Sequence, residues 1–218
     1  MINQDVIIEN TKQFVKSTLM SAEGGHDWFH VERVLKTAVY IAKKEKASLF
    51  MVKLGALLHD IADSKFHEGN EEIGPLIAEK FLKSQNISQS DLEHVINIIK
   101  YVSFKNSFDN TVFESIELEI IKDADRLDAI GAIGIARCFN NGGFKNRLIY
   151  DPDISIVSHK NKTSYKNSTA PSFNHFYEKL LLLKDLMHTK TAKDLAEERH
   201  EFMIKYIKQF KKEWHLES

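Results

Sequence analysis

The sequence predicts an all-α fold, a single-domain helical bundle. Three observations carry that expectation. Among 218 residues only 9 are glycine and 3 proline, and tightly turned β architectures need more of both. Apolar residues recur at i, i+3, i+4 and i+7 along much of the chain, the stripe of an amphipathic helix. Hydrophobic residues make up 43% and charged residues 28%, close to globular averages and enough for a packed core.

Taken in order, residues 3–21 read as an amphipathic helix that stops before Gly24 and Gly25. Residues 27–46 form a second, with Val31, Val34, Leu35, Ala38, Ile41 and Ala42 on one face. The stretch 48–62, SLFMVKLGALLHDIA, is apolar nearly all round, the pattern of a helix buried in the middle of a bundle. Residues 70–85 give a shorter helix, in which Pro75 is admissible only in the first turn. Ser90 and Glu93 read as a capping box before the stripe Leu92, Val95, Ile96, Ile99 and Val102. Residues 104–115 read as a loop.

Residues 116–140 read as one long helix ended by Gly142 and Gly143. Gly131 and Gly134 fall inside it and suit close helix packing, because no strand precedes them to build a phosphate loop. Residues 144–172 contain DPD, SHKNKTS and NST without periodicity. A loop that long is expected to be a lid, and Lys160, Lys162 and Lys166 would suit a polyphosphate tail. Helices at 173–187 and 190–213 then complete the domain, whose core lies roughly within residues 1–143.

Composition excludes several functions. A formal net charge of −1 gives no support to a nucleic-acid or membrane-surface partner. The single cysteine, Cys138, cannot form an intrachain disulfide or a Cys-based zinc site. The N-terminal MINQDVIIENTKQFVK lacks the apolar core of a signal peptide, and no run approaches 18 apolar residues. A cytoplasmic protein is expected, with a homodimer left open as its assembly.

The strongest chemical signal is His59–Asp60, closing the most apolar helix of the chain. A carboxylate there is costly unless paired, hydrogen-bonded or bound to a metal. His30, on the preceding helix, falls at the border of its apolar stripe and can face the end of a neighbouring helix. The run Lys122-Asp123-Ala124-Asp125-Arg126-Leu127-Asp128 places Asp125 and Asp128 one turn apart, with at least one directed toward the core border. Two imidazoles and two carboxylates make a mixed N/O ligand set. It suits Mn²⁺, Fe²⁺, Ni²⁺, Co²⁺ or Zn²⁺ better than Mg²⁺.

The series His30, His59–Asp60 and Asp125 resembles the H…HD…D signature of HD-domain metal-dependent phosphohydrolases. The flanks match as well: GHDWFHVERV at 25–34, ALLHDIADSKFH at 56–67 and KDADRLDAIGAIGIAR at 122–137. The C-terminal HFYEKLLLLKDLMHTKTAKDLAEERHEFM at 175–203 is similar to a bacterial stand-alone subgroup that includes nucleoside-triphosphate pyrophosphohydrolases. The resemblance implies an all-α HD-domain fold and one divalent ion, manganese being preferred, held by His30, His59, Asp60 and Asp125. It implies a nucleotide substrate, cleaved to monophosphate and pyrophosphate.

Around that site, Asp63 stands where HD-type 5′-nucleotidases often carry a glutamate, and is the candidate general base. His26, Lys65, His67, His175 and Lys179 are the candidate substrate contacts, Lys65 acting as a point charge on phosphate. Asp27 and Asp128 are candidate second-layer carboxylates, Asp128 orienting a ligand histidine. Two alternatives stay open: a 5′-nucleotidase-type phosphatase with Asp63 in place of glutamate, and a catalytically weak nucleotide-binding regulatory module.

Overall fold

The computed structural model describes residues 3–20, 27–61, 72–102, 113–157 and 168–216. Among them every regular element is helical and no strand occurs, so the all-α expectation holds. The chain divides into two compact units, residues 1–124 and 125–218.

In the first unit α1 (Gln4–Thr18), α2 (Trp28–Glu45) and α5 (Gln89–Val102) surround α3 (Leu49–Leu58), while α4 (Ile73–Ser84) packs on α5. α3 is central because it has no polar face to give to water: Met51, Val52, Leu54, Gly55, Ala56, Leu57 and Leu58 are all buried. Its neighbours contribute Ile8, Val15, Val31, Leu82, Val95 and Ile99 to the same core. Short polar side chains start these helices by accepting otherwise unsatisfied backbone N–H groups. Asn3 Oδ1 accepts from Asp5 N at 3.1 Å, and Ser48 Oγ from Met51 N at 3.5 Å. α5 is capped by Ser88, whose Oγ accepts from Asp91 N at 3.2 Å. The expected cap at Ser90 is therefore displaced by two residues. Pro75 lies in the first turn of α4, the one place where its missing N–H is harmless.

The predicted helix over 116–140 is two helices, α6 (Ile116–Asp128) and α7 (Gly131–Phe144). The cause is Gly131, with φ +73°, a left-handed conformation that side-chain-bearing residues avoid. Gly134 does serve close packing, though locally: a Cβ there would overlap the Ala129 carbonyl. Gly142 and Gly143 lie within the last turn of α7, which ends at Phe144.

The expected helix over 173–187 is also divided, into a short α8 (Asn174–Glu178) and a 3₁₀ helix (Leu180–Leu186), separated by Lys179 at φ −147° and ψ −55°. α9 (Lys190–His215) follows, opened by Thr189, whose hydroxyl accepts from Ala192 N at 3.2 Å. The second unit has its own core of Phe173, Phe176, Leu180, Leu183, Ala192, Ala196, Met203 and Ile207.

The described ends of the 144–172 segment have no helix beyond the last residue of α7 and close on each other, with Ser172 N donating to Leu148 O and Phe173 N to Ile149 O, both at 2.9 Å. Tyr150 packs on Phe173, Phe210 and Trp214 at centroid separations of 4.9, 5.8 and 5.0 Å. This part of the segment lies against the C-terminal half of α9. Lys160, Lys162 and Lys166 lie outside the described residues. Among the described residues no helix is long and apolar enough to cross a membrane.

Candidate metal centre

His30 enters the site from the first turn of α2. Asp27 caps that helix, and its Oδ1 accepts from His30 N at 2.9 Å. The carboxylate expected to stand behind a ligand thus fixes the backbone of one. His30 is not at a border: only 1% of it is exposed. A stripe calculated from 100° per residue gives a direction but not how thickly neighbours cover it.

His59 is the C-cap of α3 and Asp60 follows it into the turn, both half-buried. His59 Nδ1 lies 2.9 Å from Ala56 O. A carbonyl can only accept, so Nδ1 carries the proton. In the neutral ring the buried Nε2 then presents its lone pair. A backbone carbonyl fixing the tautomer from behind is the usual support of a ligating histidine. The His30 and His59 rings meet edge to face, centroids 5.3 Å apart and planes at 63°.

Side-chain ligand atoms of His30, His59 and Asp60 all lie within 4.8 Å of one another. Ligands around one ion at about 2.1 Å stand roughly 3–4 Å apart, so small rotamer changes bring the three into contact with a single cation. Two neutral imidazoles and one carboxylate fit a borderline divalent ion such as Mn²⁺, Fe²⁺ or Zn²⁺.

Asp125 is half-buried on the last turn of α6 and belongs to the second unit. Its assignment as a fourth ligand rests on the family motif. Asp128, expected to orient a ligand histidine, is buried and accepts a hydrogen bond from Arg137, whose Nη1 donates to Oδ2 at 2.6 Å. His175 and Lys179, expected to share one helix, are half-buried at the start and the end cap of short α8. His26, Asp63, Lys65 and His67 lie outside the described residues.

One acid was overlooked in the sequence. Asp123 has no exposed surface. It stands three residues after Ile120 and four before Leu127, inside the apolar stripe of α6, so the periodicity that located the core also marked it.

The fold thus brings His30, from the start of α2, beside His59 and Asp60 at the end of its most apolar helix, α3. The sequence matches the HD domain family over residues 28–130. It is 38% identical to YpgQ of Bacillus subtilis over 208 residues, 94% of this chain and 92% of that protein. The chain therefore belongs to the HD-domain family. Among solved structures, an HD-superfamily hydrolase from Bacillus thuringiensis is 42% identical, with a TM-score of 0.77 over 98% of this chain and 99% of that one. A Lactobacillus plantarum protein is 37% identical with a TM-score of 0.82 over all of both chains. YpgQ in complex with ADP is 37% identical with a TM-score of 0.76, covering 96% of each chain. The fold is that of the HD-superfamily hydrolases.

Proposed function

We propose that the protein is a divalent-metal-dependent phosphohydrolase that converts nucleoside or deoxynucleoside triphosphates to monophosphate and pyrophosphate. The observation that carries this reading is the convergence of His30, His59 and Asp60. The ADP complex of YpgQ supports a nucleotide as substrate class, and the C-terminal resemblance supports pyrophosphate release.

In this reading His30, His59, Asp60 and Asp125 hold one ion, with manganese preferred. A bound divalent ion supplies Lewis acidity, lowering the pKa of water and polarising a phosphoryl oxygen. The chain's own residues do the rest. Ala56 O holds the His59 ring in the tautomer that ligates, and Asp27 fixes the turn that carries His30. Asp63 takes the proton from the attacking water. Lys65, His67, His175 and Lys179, with His26, neutralise the phosphate chain.

The test is product identification. Metal-loaded protein is incubated with nucleoside mono-, di- and triphosphates, and phosphate and pyrophosphate are assayed separately. Pyrophosphate from triphosphates is expected. Orthophosphate from monophosphates alone would replace this reading with the nucleotidase. Binding without turnover would replace it with a regulatory module.

A further inference from the structure

The carboxyl end of α6 is built unusually. Helix ends fray, and the last carbonyls lack partners within the helix. Here Leu127 O accepts from Ile130 N at 3.3 Å and again from Arg199 Nη1 at 2.5 Å, from α9, 72 residues away in sequence. Asp128, 4% exposed, accepts from Arg137 Nη1 at 2.6 Å. The same carboxylate acts electrostatically on Arg199 and offsets the burial that pushes the guanidinium pKa down. The methylene stem of Arg199 covers Gly131: a methyl group at that glycine would stand 3.0 Å from Arg199 Cγ. Two arginines, one aspartate and a left-handed glycine thus close on the single turn that carries Asp125.

A half-buried guanidinium is an expensive way to end a helix, since a left-handed residue alone ends many helices, as Lys46 does for α2. What distinguishes this end is Asp125, two residues before the carbonyl that Arg199 holds. We infer that Arg199, with Asp128 and Arg137, is a positioning latch that fixes the last turn of α6 and thereby the Asp125 carboxylate for metal binding. The latch rests on the proposed role of Asp125 as a ligand. In this proposal Arg199 is a positioning residue that acts through Asp125.

The test is Mn²⁺ titration of the full chain by calorimetry, with circular dichroism to follow folding. Loss of a group that orients a metal ligand costs about 10–100-fold in affinity. Arg199→Met is expected to weaken Mn²⁺ binding by about tenfold with helicity retained. Arg199→Lys, which keeps the stem and one donor, is expected to recover most of the loss. In an Asp125→Asn background, Arg199→Met is expected to add nothing, because its effect passes through Asp125. Wild-type affinity in Arg199→Met alongside weakened binding in Asp125→Asn overturns the latch and leaves the ligand reading intact. The same loss with and without Asp125 overturns it as a general loss of structure, and a lysine variant as weak as the methionine overturns the hydrogen-bond role. Unchanged affinity in Asp125→Asn overturns the ligand reading and the latch with it.

Discussion

His59 and Asp60 are neighbours in sequence, and both offer a ligand atom to one cluster. Replacing Asp60 by alanine removes the only carboxylate of the three-residue cluster and is expected to abolish measurable Mn²⁺ binding by calorimetry while leaving the helical signal unchanged. Cys138 behaves in the opposite way to a reactive thiol. Its Sγ donates to Ser172 O at 3.3 Å, and burial pushes its pKa from 9.0 up to about 12, against the lowering influence of Arg147 and Lys179. Almost no thiolate is present at pH 8, so modification by a disulfide reagent should be slow in the folded protein and fast in denaturant. The shift also sets a sign for stability. The unfolded thiol loses its proton near pH 9 and the folded one only near 12, so the contribution of Cys138 is whole below pH 9 and lost between 9 and 12. Thermal melts at pH 7.5 and 10.5 should show a smaller alkaline loss in Cys138→Ala than in wild type.

At the scale of elements, starts and stops matter more than lengths. α2 is capped by Asp27, whose carboxylate accepts the His30 backbone N–H. Asp27→Ala is expected to cost about 1 kcal/mol of stability by denaturant titration, and to weaken metal binding because the first turn of α2 carries a ligand. Gly131 separates α6 from α7 with φ +73°. Gly131→Ala adds left-handed strain of about 1–2 kcal/mol and presses on the Arg199 stem. Its loss of stability should exceed that of Asp27→Ala in the same titration.

For the molecule as a whole, an ion bound only by the folded chain adds RT ln(1 + [L]/Kd), about 2.7 kcal/mol at a hundredfold excess over Kd. Mn²⁺ should therefore raise the melting temperature by several degrees, and Asp60→Ala should melt at one temperature with or without it. The ligands of the cluster come from the start of α2 and the end of α3, and α3 is held in the middle of the first unit by the burial of seven of its ten residues. Folding and site assembly there are one event: burying the apolar helix delivers His59 and Asp60 beside His30.

Much of this was legible beforehand, for a definite reason. Helical periodicity and the scarcity of glycine and proline are local properties, and they sufficed for the all-α class and for α1 to α5 to within a few residues. His59–Asp60 was legible because an acid beside a run such as GALL conflicts with burial unless it has a task. What stayed hidden depends on contacts distant in sequence. The break at Gly131 is closed by Arg199, and no window of sequence joins those two positions. The break at Lys179 divides a stretch whose propensities read as one helix. Whether His30 lies at a border or is wholly buried depends on the side chains packed over it. Local chemistry named the elements and the ligand types, and tertiary packing decided where helices end and which polar groups lose contact with water.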